Sequence, residues 1–156
     1  MIRLFIATIS ILCSPVATAA DTTAGFERTL AAALKKADVT DAEISQAAGK
    51  ALWNTNKTAV ALAVPRPKAT RVLVFLSQPS GSFITVDVSA VESGNFGKLG
   101  RSRSEYTRFE TAPIRWLPRD DGFFQVVMRT RAWAGRHRYT VSEPLVIKAD
   151  GTPVWR

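Results

Sequence analysis

The hydrophobic period of this chain changes once, near residue 55. A period of about 3.6 residues puts apolar side chains on one face of a helix, and a period of two puts them on one face of a strand. The change therefore predicts an N-terminal helical segment over residues 21–55 and a strand-built body over residues 56–156, folded as one globular unit.

In the first segment Phe26, Leu30, Ala33, Leu34 and Ala37 recur at helical spacing after Thr22 and Thr23, either of which can cap a helix. Lys35 and Lys36 sit where a helix C-terminus favours cations. Thr40–Asp41–Ala42–Glu43 has the form of a capping box, and Ile44, Ala47, Ala48, Ala51 and Leu52 carry a second helix to Trp53. The expectation is a short helical hairpin turning near Asp38. Its alanine-rich stripe is thin and needs a larger body to pack on.

Beyond Lys57 the pattern predicts strands over 58–64, 70–77, 82–91, 105–111, 122–133, 137–147 and 153–155, with turn signals between them. Val72–Leu76 is apolar on both faces, as in a central strand. Pro144 assigns the sixth strand to a sheet edge or a bulge. The fold class read from this is α+β, a short N-terminal helical hairpin plus an antiparallel β-sandwich of about seven strands. The run Phe124–Ala132, a turn at Gly135, and the run Tyr139–Ile147 with its Ser142–Glu143–Pro144 resemble the last two strands of fibronectin type III and related immunoglobulin-like domains. That resemblance implies a β-sandwich and, loosely, recognition or scaffolding.

The first twenty residues have the layout of a secretory signal peptide: Arg3, an apolar run from Leu4 to Leu12, Pro15, and Ala17–Thr18–Ala19 before Asp21. The expectation is an exported chain, periplasmic or secreted, without a transmembrane segment after cleavage. Removing residues 1–20 removes Cys13, the single cysteine, so the core alone must hold the exported domain.

One Cys and one His exclude a disulfide framework, a Cys/His zinc site and c-type haem attachment. Neither a P-loop nor a G-x-S-x-G elbow is present. No cofactor and no metal site is expected. Asp120–Asp121 before Gly122 reads as a turn rather than an acid/base pair, and His137 is a weak candidate for catalysis.

Charge is the more informative feature. The net charge is +8. Between Lys98 and Arg138 stand ten basic residues against four acidic ones, a net of +6, and nine of the ten are arginine. Arginine presents a planar fork that matches carboxylate, phosphate or sulfate. Strand alternation puts Arg129 and Arg131 on one face of the fifth strand. Arg136 and Arg138 follow at the turn, with Trp133 beside them to cover an arginine stem or stack on a ligand. Gly94 to Ser104 reads as a long glycine-punctuated loop whose Lys98, Arg101 and Arg103 form a second basic element able to cradle an anion.

The function expected is a non-enzymatic binding or accessory module whose Arg-rich hairpin contacts an anionic envelope partner. That partner is an acidic polysaccharide, lipid phosphate or an acidic protein surface, and nucleic acid fits an exported chain less well. The alternatives are an interaction subunit of an envelope complex with incidental charge and, last, a small periplasmic hydrolase.

Overall fold

The computed structural model describes residues 19–48, 50–67 and 69–154. Most of the expected signal peptide, residues 1–18, lies outside them, as do Trp155 and Arg156. The elements in chain order are α1 (Ala19–Lys36), α2 (Asp41–Ala48), β1 (Leu52–Trp53), β2 (Ala59–Pro65), β3 (Thr70–Ser77), β4 (Phe83–Val86), α3 (Ser89–Lys98), a 3-10 turn (Arg103–Glu105), β5 (Arg108–Leu117), β6 (Phe124–Ala134), β7 (His137–Ile147) and β8 (Pro153–Val154).

The described strands form two antiparallel four-stranded sheets, each in simple sequence order: β1-β2-β3-β4 (sheet A) and β5-β6-β7-β8 (sheet B). The class is α+β with strands predominating, but eight strands replace the seven expected. Immunoglobulin-like sandwiches interleave their strands through Greek-key connections. Two uninterrupted meanders do not, so the resemblance is confined to the β6–β7 hairpin.

Sheet A is covered on both faces. From β2 and β3, Ala59, Ala61, Val72, Val74 and Leu76 join Val126, Met128, Leu145 and Ile147 of sheet B in one buried cluster. The alternate residues Val60, Leu62, Val64, Leu73 and Phe75 join Leu30, Leu34, Val39 and Ala47 of the helical segment in a second. This is why Val72–Leu76 is apolar throughout: each side chain has a core to enter on one face or the other.

The capping box forms as the sequence predicts. The Thr40 N–H donates to Glu43 Oε2 at 2.9 Å, and the Glu43 N–H donates to Thr40 Oγ1 at 3.3 Å. The Thr40 N–H, foremost, and the Thr40 hydroxyl, which donates to the same Oε2 at 2.9 Å, hold the Glu43 pKa below its ordinary value. α2 ends at Ala48, however, and Leu52 and Trp53 pair with Ala61 and Val60 as a short edge strand, not as the last helical turn.

Two strand assignments also change. The run expected at 82–91 is a strand only over Phe83–Val86, and the helix α3 follows from Ser89. The Asp87 carboxylate accepts the Ser89 N–H at 2.9 Å and so turns the chain into that helix. The strand expected at 105–111 begins at Arg108 and continues to Leu117, absorbing Pro113 at an irregularity of register between Pro113 and Arg115. The last strand is described over Pro153–Val154. It follows the turn at Gly151, where φ is +86° and an added Cβ would meet Ile84 Cδ1 at 2.8 Å. Glycine is favoured there, because the positive φ strains any other residue and the Ile84 methyl would have to move.

A buried polar chain stitches the layers together. Asn95 of α3 donates to Thr130 Oγ1 at 2.9 Å, and Thr130 Oγ1 lies 3.0 Å from Thr111 Oγ1. The Thr70 hydroxyl of β3 donates to the Thr111 carbonyl at 2.7 Å and accepts the Thr111 N–H at 2.6 Å. One chain of bonds thus joins α3, both sheets and the inner face of β6, and pins which face of β6 is inside.

Candidate functional site: the outer face of sheet B

Val126, Met128, Thr130 and Ala132 of β6 are buried. Strand alternation therefore turns Gln125, Val127, Arg129, Arg131 and Trp133 to the opposite, outer face. Paired residues of an antiparallel sheet point the same way, so the register maps this face row by row. At the hairpin end Arg108, Trp133 and Arg138 lie side by side, then Glu110, Arg131 and Thr140, then Ala112, Arg129 and Ser142, then Arg115, Val127 and Pro144. Rows stand about 7 Å apart and strands about 5 Å apart.

Five arginines and one carboxylate thus occupy one face. The carboxylate, Glu110, is engaged by Arg108. Arg108 also stacks over the Trp133 ring at 5.2 Å. Among the described residues, no carboxylate lies within ion-pair distance of Arg115, Arg129, Arg131, Arg136 or Arg138. Arg129 lies between the short Ala112 and Ser142, and Arg131 between Thr140 and Glu110, the carboxylate that Arg108 engages. Arg136 stands in the two-residue turn after Gly135, whose φ of +59° suits a tight hairpin.

Of the residues singled out from sequence, Arg129, Arg131, Trp133 and Arg138 share this face and Arg136 flanks it. Trp133 takes up an arginine, Arg108, on its ring. Lys98, Arg101 and Arg103 do not join them. Gly94 to Lys98 is not loop but the last part of α3, so no cradle of loop N–H groups forms there. Lys98 pairs with Glu143 at 2.8 Å. Arg101 lies over the Tyr139 ring at 5.3 Å and Arg103 over the Phe109 ring at 4.5 Å. Glu143, Tyr139 and Phe109 pair with inner-face residues of β6, so these three cations serve the other side of the sheet.

Sequence reasoning missed Arg108 and Arg115, because the strand that carries them was placed too early. Trp116, on the same strand, packs against the shared core and donates its indole N–H to the Leu52 carbonyl at 2.8 Å.

The groups considered for catalysis are committed elsewhere or isolated. Arg119 grips the Asp121 carboxylate with Nε at 2.9 Å and with a second guanidinium nitrogen. That grip pulls the Asp121 pKa down to about 2 and keeps it an anion. Asp121 Oδ1 also accepts the Phe123 N–H, as a turn residue does. His137 is exposed at the start of β7, and among the described residues its ring has no hydrogen-bond partner. A groove of about 470 Å³ lined in part by Arg66, Arg71 and Arg103 also holds cations. There Arg66 is paired with Glu43 at 2.9 Å, Arg71 donates to the Ala37 carbonyl at 2.7 Å, and Arg103 is stacked on Phe109. Among the described residues no helix is long and apolar enough to cross a membrane. Compared with protein-family models, with curated proteins and with solved structures, the chain matches none.

Proposed function

We propose that this chain is an exported, non-enzymatic binding or accessory module that engages an anionic partner of the cell envelope through the outer face of sheet B. The observation that carries the reading is the set of guanidinium groups at Arg115, Arg129, Arg131, Arg136 and Arg138, none of which has a carboxylate within ion-pair distance among the described residues. Solubility alone is served by mixed charges, whereas a single-sign field on a flat face attracts and orients an oppositely charged surface. Arginine forks on that face suit phosphate, carboxylate or sulfate presented by lipid, acidic protein or polysaccharide.

The test is binding of the purified protein to polygalacturonate and to vesicles containing phosphatidylglycerol across a salt series. A variant with Arg129, Arg131, Arg136 and Arg138 changed to Gln is run alongside. The reading expects binding that weakens steeply with salt and falls at least about tenfold in the variant, since exposed charges act within roughly a Debye length of 10 Å at 0.1 M salt. Equal binding by the variant overturns it.

A further inference from the structure

Strand β8 covers little of its neighbour. It pairs only with Val146 and Ile147, so from His137 to Leu145 β7 has β6 on one side and no strand on the other. The phase of its hydrogen bonds follows from the hairpin. Gly135 and Arg136 form a two-residue loop, which makes Ala134 and His137 the closing bonded pair. Alternation then turns the backbone groups of Tyr139, Val141, Glu143 and Leu145 toward β6, and those of Arg138, Thr140 and Ser142 outward. Two residues confirm the phase. Pro144, which has no N–H to give, falls in the outward set, and Val146, also in that set, is the residue β8 pairs. Arg138, Thr140 and Ser142 are exposed, and among the described residues none has an outward backbone partner.

The opposite edge of the same sheet is blocked at its centre. On β5 the Thr70 hydroxyl occupies both the N–H and the C=O of Thr111, and Pro113 follows. The fold blocks one edge of sheet B at Thr111 and Pro113 and leaves the other open beside the arginine face.

We propose that the open edge of β7 takes up an extended segment of a partner protein as a ninth strand, and that this segment alternates acidic and apolar residues. The proposal rests on the anion-binding reading above and names the partner class. Main-chain bonds to Arg138, Thr140 and Ser142 supply the pairing, and alternate side chains supply the selection. Residues of the added strand on the outer side stand next to Arg138, beside the turn carrying Arg136, and two strands (about 10 Å) from Arg131 and Arg129, across the short Thr140 and Ser142. Acidic residues match them. Residues on the inner side meet half-buried Tyr139, whose ring Arg101 covers, and half-buried Val141, where an apolar residue fits. A second copy of β7 would place its own Arg136 and Arg138 against the same face, and that like-charge contact disfavours self-pairing.

The probe is a capped Glu-Val-Glu-Val-Glu-Val-Glu peptide, with a control peptide N-methylated at alternate residues to remove its pairing N–H groups. Polygalacturonate serves as the polyanion that cannot pair. The proposal expects the peptide to bind and to slow amide exchange at Arg138, Thr140 and Ser142, and the methylated peptide to bind at least about tenfold more weakly. Thr140→Pro removes an outward N–H without touching the β6 ladder. It is expected to lose the peptide but bind polygalacturonate as the wild type does. Unchanged exchange at the three amides, equal binding of both peptides, or peptide binding retained in a folded Thr140→Pro variant overturns the strand proposal. Polygalacturonate binding without peptide binding overturns it too, yet leaves the arginine face standing. Binding of neither overturns both.

Discussion

Sheets A and B are built from similar strands but treated oppositely. Sheet A has apolar residues on both faces because α1 and α2 cover one and sheet B the other. Sheet B buries one face and presents on the other five arginines, a tryptophan and short polar residues. The difference is written in the side-chain alternation. Val60–Val64 and Val72–Leu76 are unbroken apolar runs, whereas in β6 the buried Met128 and Thr130 alternate with half-buried Arg129 and exposed Arg131. One sheet is structure on both sides. The other has a side on which, of the outward residues of β6, Val127 alone is buried.

The contrast is broken most easily by truncating each outer face. Phe75, fully buried under the helices, should cost about 3–5 kcal/mol as Phe75→Ala. Exposed Arg131 should change stability by no more than about 0.5 kcal/mol as Arg131→Gln. Urea titration of both variants checks this, and a comparable loss at Arg131 would mean that the outer face is structural.

The polar chain that fixes which face is which should come next. Asn95→Ala removes the donor to Thr130 and should cost about 1–3 kcal/mol in the same titration. Thr40→Ala removes the capping hydroxyl of α2 and should cost about 1 kcal/mol.

Acid should act more mildly, in a stated window. The Asp121 pKa is depressed to about 2 by Arg119, and Glu43 is depressed by its capping bonds. A depressed carboxylate stabilises the fold at pH values above its unfolded pKa, and that contribution fades as pH falls through the folded value. Thermal unfolding should therefore show stability falling between about pH 4 and pH 2, and Asp121→Asn should remove part of that slope. An identical slope in the variant would show that the Arg119 grip does not couple to folding.

How much of this was legible depended on whether the local pattern belonged to one element. The Thr40–Glu43 box, the two-sided β3 run and the alternation of β6 each lie within a single element, and the structure matches them. α3 was hidden because Ile84, Val86 and Val88 continue a strand-like alternation across Asp87, where the chain turns into a helix. Its helical spacing, Val88–Val91–Asn95, ends on a polar residue, and Gly94 and Gly97 look like loop punctuation. Asn95 is buried only because Thr130, 35 residues away, accepts its N–H. Such long-range pairing leaves no local trace. The same holds for Arg108 and Arg115, whose place on the face depends on how β5 pairs with β6.

The central claim is that the two groups of cations, equally prominent in the sequence, differ in work. The most direct measurement is the salt dependence of polygalacturonate binding for two variants, Arg129/Arg131/Arg136/Arg138→Gln and Lys98/Arg101/Arg103→Gln. The account predicts that the first loses most of the affinity and flattens the salt slope, and that the second binds as the wild type does. Equal losses in both, or a loss confined to the second, would contradict the assignment of binding to the outer face of sheet B.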